Sequence, residues 1–214
     1  MAKTSKRRKL ISLSGKNLAC ERGGRLVFSH LDFCISDGQL LVLRGPNGAG
    51  KSSLLRIVAG LTMLAGGKLE IAGGDGELTI GQQCHLIAHH NALKPALSVY
   101  ENLIFWARFL GGGDVSSALH HMALDELADF PAALLSAGQK RRLALARLAL
   151  VPRPVWLLDE PTVGLDTASL ARLSELASTH LDQGGLIIAA THVDLGMPVT
   201  VTCNFTHDYS KASE

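Results

Sequence analysis

Eight consecutive residues, Gly45-Pro46-Asn47-Gly48-Ala49-Gly50-Lys51-Ser52, have the types and spacing needed to hold phosphate. Their glycines let the backbone wrap inward, so that successive N–H groups point at phosphate oxygens. A helix starting just after them, with Ser53 in its first turn, adds the positive end of its dipole. In this arrangement Lys51 reaches the β- and γ-phosphates of a nucleotide and the Ser52 hydroxyl binds Mg²⁺. A second cluster completes the chemistry. Residues 155–158 form an apolar run that ends in Asp159 and Glu160. Asp159 at a strand end can hold Mg²⁺ through water, and Glu160, one residue on, can polarise an attacking water as general base.

The elements that must position these residues are legible from periodicity. Residues 40–43 and 186–190 are continuous apolar runs, as is 155–158, and all three read as strands buried on both faces. Between them, 53–61 carries Leu54, Leu55, Val58 and Leu61 at helical spacing, and 139–150 and 167–181 read as further helices. Strands alternating with helices predict a parallel sheet with helices on its faces. Residues 10–44 alternate apolar and polar positions around Gly23-Gly24 and Asp37-Gly38, which predicts two antiparallel hairpins. A short strand is expected at 68–72 and an inner strand at 86–88. Residues 91–135 have helical texture, at 99–110 and 115–127, and read as a lobe inserted into the core. The expected organisation is a basic, frayed start at 1–9, one catalytic domain at 10–196 and a polar tail at 197–214.

Composition narrows the class. The chain has 214 residues, 47% of them apolar and 19% charged, which suits one domain with a sizeable core and excludes wholesale disorder. A net charge of +2 does not suggest a nucleic-acid binder. No apolar run approaches the roughly 18 residues that span a bilayer, and no apolar segment of signal type follows the basic start. Cys20, Cys34, Cys84 and Cys203 contain no Cys-x-x-Cys pair and read as free thiols in a reducing cytoplasm.

Three further motifs make the pattern specific. Leu135-Ser136-Ala137-Gly138-Gln139 resembles the signature of ABC ATPases, usually Leu-Ser-Gly-Gly-Gln. Asp159-Glu160-Pro161-Thr162-Val163-Gly164-Leu165-Asp166 resembles their acidic strand end and D-loop, and Ala190-Thr191-His192 their switch histidine. The resemblance runs from about residue 10 to residue 195. It implies an α/β phosphate-loop fold: a mostly parallel sheet flanked by helices, an antiparallel β lobe and an inserted helical lobe. It also implies an ATPase using ATP and Mg²⁺. Two copies would meet head to tail, with Ser136, Ala137, Gly138 and Gln139 acting on the ATP of the partner chain at a helix opening at Gln139. Asp166 would reach across the dimer, and His192 would touch the γ-phosphate and hold Glu160. Two positions depart from the family pattern. Arg22 stands where an aromatic residue usually stacks on adenine, and its planar guanidinium can stack on a base instead. The Q-loop glutamine is replaced by His90, or by His89 if the loop is one residue longer; Gln82 and Gln83 lie too early.

Residues 134–148, the Cys20-Glu21-Arg22 run, residues 91–97 and Gln183-Gly184-Gly185 are similar to the ATPase family of the bacterial cytochrome c maturation system. That resemblance implies a haem-exporter subunit, peripheral on the cytoplasmic face of the inner membrane and bound to integral membrane subunits. It would serve haem export or handoff to a periplasmic haem chaperone. Leu103, Phe105, Trp106, Phe109 and Leu110 offer an apolar helix for docking or for the lobe's own core. An exporter of another small molecule or lipid is the alternative. The histidine pairs suggest metal, but His85 and His89 on a strand would stand about 13 Å apart, too far for one ion, so direct haem binding is not expected. A GTPase would need an Asn-Lys-x-Asp motif, which is missing, and a kinase would have no use for the signature.

Overall fold

The computed structural model describes residues 10–205. The basic start lies outside the described residues, as does the end of the tail.

The strands form two sheets that share one core. β1 (Ser12–Arg22), β2 (Arg25–Ser36) and β4 (Gly66–Ala72) form an antiparallel sheet of order β2-β1-β4. β3 (Leu40–Arg44), β5 (Cys84–Ile87), β6 (Val155–Asp159), β7 (Leu186–Ala190) and β8 (Val201–Asn204) form a parallel sheet of order β5-β6-β7-β3-β8. Strands β6 and β7 are buried throughout, and β3 up to Arg44. This is why each reads as an unbroken apolar run.

Because side chains alternate along a strand, these residues divide between two cores. Leu40, Val42, Trp156, Leu158, Ile187 and Ala189 pack with the helical side. That side is α2 (Val99–Leu110), α3 (Val115–His121), α4 (Ala137–Ala146) and α5 (Thr167–Asp182). Leu41, Leu43, Val155, Leu157, Leu186 and Ile188 pack with α1 (Lys51–Val58) and the antiparallel sheet. Buried residues of the 91–135 segment, such as Val99, Leu103 and Met122, share their core with α4, α5 and the parallel sheet.

Several expectations need correction. The turn at Asp37-Gly38 closes no second hairpin; it carries the chain from β2 into β3 of the other sheet. The strand expected inside at 86–88 runs Cys84–Ile87 and lies at the sheet edge, paired with β6 alone among the described strands. The helix expected over 115–127 ends at His121. Its terminus is closed by Ala123 at φ 49, with Leu124 N–H donating to the Leu119 carbonyl at 3.0 Å and Ala123 N–H to that of His120 at 3.0 Å. Such a cap normally announces itself with glycine. The segment after 196, set apart as a tail, supplies β8, and Phe205 N–H donates to the Arg44 carbonyl at 2.7 Å beside the phosphate loop.

Candidate nucleotide site

Strand β3 delivers the chain to the glycine-rich loop at the carboxyl end of the parallel sheet, where open α/β sheets bind ligands. Gly50 caps α1 at φ 106. A β-carbon there would stand 2.7 Å from the Phe28 ring and 2.9 Å from Val27, so both conformation and space demand glycine. Helix α1 starts at Lys51, two residues earlier than its apolar spacing suggested, and has no acidic residue in its first turn to compete for its dipole. The buried Lys51 ammonium donates to the carbonyls of Gly45 at 2.6 Å and Pro46 at 2.9 Å, which fixes it inside its own loop. Pro46, Asn47 and Gly48 are exposed on the rim, while Ala49 is buried. Ser53 is buried and close enough to Cys20 to influence its thiol. The Cys20 thiol is pushed up by burial, an effect countered by Ser53 and then by the Arg22 charge. Arg22 itself is exposed near the hairpin tip, two residues beyond Cys20.

The acidic cluster meets the loop directly. The Ser52 hydroxyl donates to Asp159 Oδ1 at 3.0 Å, across a separation of 107 residues. A hydroxyl and a carboxylate, both hard oxygen donors, suit Mg²⁺. Asp159 is buried at the end of β6. Glu160 follows at φ 45, a left-handed conformation costly for a residue with a β-carbon. Its N–H donates to the Ala190 carbonyl at 2.8 Å, which ties it to β7. Its Oε1 lies 3.7 Å from His192 Nε2, within ion-pair range when the ring is protonated and beyond hydrogen-bond length. His192 is aimed by a turn in which Val193 N–H donates to Thr191 Oγ1 at 3.1 Å.

The signature forms its own helix start. Ser136 caps α4, accepting from Gln139 N–H at 3.2 Å while Gln139 Oε1 accepts from Ser136 N–H at 2.8 Å. The helix therefore opens at Ala137, not at Gln139. Ser136 Oγ keeps a proton to donate outward. A β-carbon at Gly138 would stand 2.7 Å from the Gly164 carbonyl oxygen, so this glycine is required for packing within the chain. Asp166 caps α5 by accepting from Ser169 N–H at 2.7 Å, and the Ser169 side chain, followed by that N–H, holds its carboxyl below the usual range.

His89 and His90 stand side by side and exposed on the loop after β5, ring centroids 5.6 Å apart. Gln82 and Gln83 precede that strand; Gln83 is buried and bonded to the 75–79 loop. His85 is buried in β5 and bonded to the Val151 carbonyl at 2.7 Å, away from His89 in role. All four cysteines are free thiols. A cavity of about 760 Å³ lined by Gln83, Arg153, Trp156, His180 and Gly185 lies at the amino ends of the parallel strands. It is therefore separate from the phosphate loop.

Sequence reasoning missed Arg141 and Asn91. Arg141 is buried in α4 and bonds the acidic strand end, while Asn91 receives one of its N–H groups. The available signal was position: Arg141 precedes Ala144, Leu145 and Leu148 at helical spacing, so a charge stands on the apolar stripe.

Residues 28–163 match the ABC transporter family. The chain is 54% identical to the cytochrome c biogenesis ATP-binding export protein CcmA of Bradyrhizobium diazoefficiens, over 87% of this chain and 94% of that one. It is 50% identical to the CcmA protein of Brucella abortus, over 86% of this chain and 87% of that one. Among solved structures, an ATP-binding subunit of an ABC transporter superposes with a TM-score of 0.75 at 25% identity, covering 84% of this chain and 79% of the other. An ABC transporter ATP-binding protein of Pyrococcus furiosus gives a TM-score of 0.75 at 21% identity, over 91% and 97%, which is a likeness of fold.

Proposed function

The chain belongs to the ABC transporter family, and from that premise we propose that it is the ATP-hydrolysing subunit of a haem exporter complex in cytochrome c biogenesis. The pathway rests on the relatives, which share half or more of their aligned residues with this chain. The hydrolytic reading rests on one observation above the others: the Ser52 hydroxyl bonded to Asp159, with Glu160 and His192 alongside.

The loop backbone from Gly45 to Gly50 and the start of α1 hold the phosphates, and Lys51 turns from its own carbonyls to the β- and γ-oxygens. Ser52, and Asp159 through water, would hold Mg²⁺, which when bound would offset charge on the phosphate oxygens. Glu160 takes the proton from a water that attacks the γ-phosphorus, and the bond to the ADP oxygen breaks. His192 holds Glu160 in line and meets the γ-phosphate. A second copy completes each site with Ser136 and Gly138 at the start of α4, while Asp166 faces across the dimer. Arg22 stacks on the base, and His90 senses the filled site from the loop after β5. Integral membrane subunits dock near α2, whose Phe105 and Phe109 are exposed, and they hold the chain at the cytoplasmic side of the inner membrane.

The test is co-purification of the tagged chain from detergent-solubilised membranes of a bacterium that makes c-type cytochromes. Recovery of the cytochrome c biogenesis membrane subunits is expected. Recovery of an unrelated permease instead would overturn the pathway and leave the chemistry standing.

A further inference from the structure

We infer that Arg141 is a positioning residue that locks the Glu160 backbone and joins the signature helix to it within one chain. The side chain is buried, 4% exposed, on α4 five residues after Ser136. Its Nε donates to the Pro161 carbonyl at 3.1 Å, and its Nη2 to the carbonyls of Asp159 at 2.9 Å and Glu160 at 2.7 Å. Its Nη1 donates to the Ala88 carbonyl at 2.9 Å and to Asn91 Oδ1 at 3.1 Å.

One planar fork thus saturates its donors on two segments. Three of the acceptors are the consecutive carbonyls around Glu160, whose φ of 45 is strained for a side-chain-bearing residue. A strained turn persists where its surroundings over-determine it, and here Arg141 holds its carbonyls while Ala190 holds its N–H. The other two acceptors belong to the loop that carries His89 and His90. Burial is the main influence on the guanidinium, and the Asp159 and Glu160 charges oppose it by favouring the cation. Arg141 therefore places a positive charge behind the carboxylate pair as well as a mould around its backbone.

The consequence is a mechanical link. The start of α4 acts on the ATP of the partner copy, whereas Glu160 acts on the ATP of its own chain. A shift of α4 that follows filling of the partner's site is carried by Arg141 to Glu160 and to the loop after β5. Lysine keeps the charge but lacks the fork, so it cannot reproduce the link.

This inference rests on Glu160 being the base, and a double-mutant cycle separates the two claims. ATP affinity, melting temperature and single-turnover phosphate release are measured for wild type, Arg141→Lys, Glu160→Gln and the double variant. The expected result for Arg141→Lys is ATP affinity within about twofold and phosphate release reduced about tenfold or more. In the Glu160→Gln background the same change costs less than about twofold, because the group it positions is gone. Equal fold losses in both backgrounds, or release unchanged in Arg141→Lys, overturn the positioning role. Full hydrolysis by Glu160→Gln overturns the base assignment instead. Asn91→Ala, which removes one acceptor and leaves the arginine, gives a smaller loss with the same dependence on Glu160; an independent loss contradicts the link.

Discussion

Two histidines outside the site make stability depend on pH. Burial pulls His85 down to about 4, opposed by the Val151 carbonyl and reinforced by the Arg153 and Arg147 charges. Burial also pulls His180 down to about 4, where its ring stacks on Trp156 at 4.0 Å. Both stay neutral in the folded chain while the unfolded chain takes up protons below the ordinary value of 6.5. Stability is therefore undiminished above that pH and falls as pH drops from 6.5 toward 4. The limiting slope is about 1.4 kcal/mol per pH unit for each histidine. Urea unfolding at pH 7.5 and pH 5 checks this, and His180→Phe, which keeps a flat ring against Trp156, flattens the dependence. Equal stability at the two pH values contradicts it.

Two helices open with the same device and serve different ends. Ser98 caps α2 and Ser136 caps α4, each in a reciprocal box, with Glu101 and Gln139 respectively. Ser98→Ala and Ser136→Ala should each lower stability by about 1 kcal/mol. Only Ser136→Ala should also slow ATP turnover, by about tenfold or more if its hydroxyl gives a charge-assisted hydrogen bond to phosphate. Melting curves and phosphate release on the same preparations check both halves; equal activity in the two variants would remove Ser136 from the site. The same elements show what the chain reveals about itself. Helices α2 and α5 and strands β6 and β7 were legible because their apolar periods and caps are local. The phosphate loop, Asp159, Glu160 and His192 were legible because their spacing is a motif. The end of α3 was hidden: alanine takes the left-handed position, and Arg142 from α4 caps the Met122 and Ala123 carbonyls at 3.0 Å and 2.9 Å. Strand β8 was hidden because its pairing with β3 lies far away in the chain. The place of Arg141 on an apolar stripe marks it as buried, but its carbonyl acceptors leave no mark in a sequence.

At the scale of the molecule, the parallel sheet brings Ser52, Asp159, Glu160 and His192 together at its carboxyl end and leaves a cavity at the other. Among the described residues no helix is long and apolar enough to cross a membrane. The proposed contact with membrane subunits would then use surface residues. The aromatic group on α2 offers one, with Phe109 72% exposed and Trp106 anchored beneath it by the Arg147 guanidinium at 4.2 Å. If a second copy completes the site, as proposed, turnover depends on assembly. On the proposed mechanism, Glu160 extracts the proton from the attacking water. The decisive measurement is phosphate release by Glu160→Gln beside wild type, with ATP affinity measured on the same preparations. ATP affinity within a few-fold and phosphate release lower by about 10²-fold or more is the result expected of a lost general base. Phosphate release within a few-fold of wild type would contradict it.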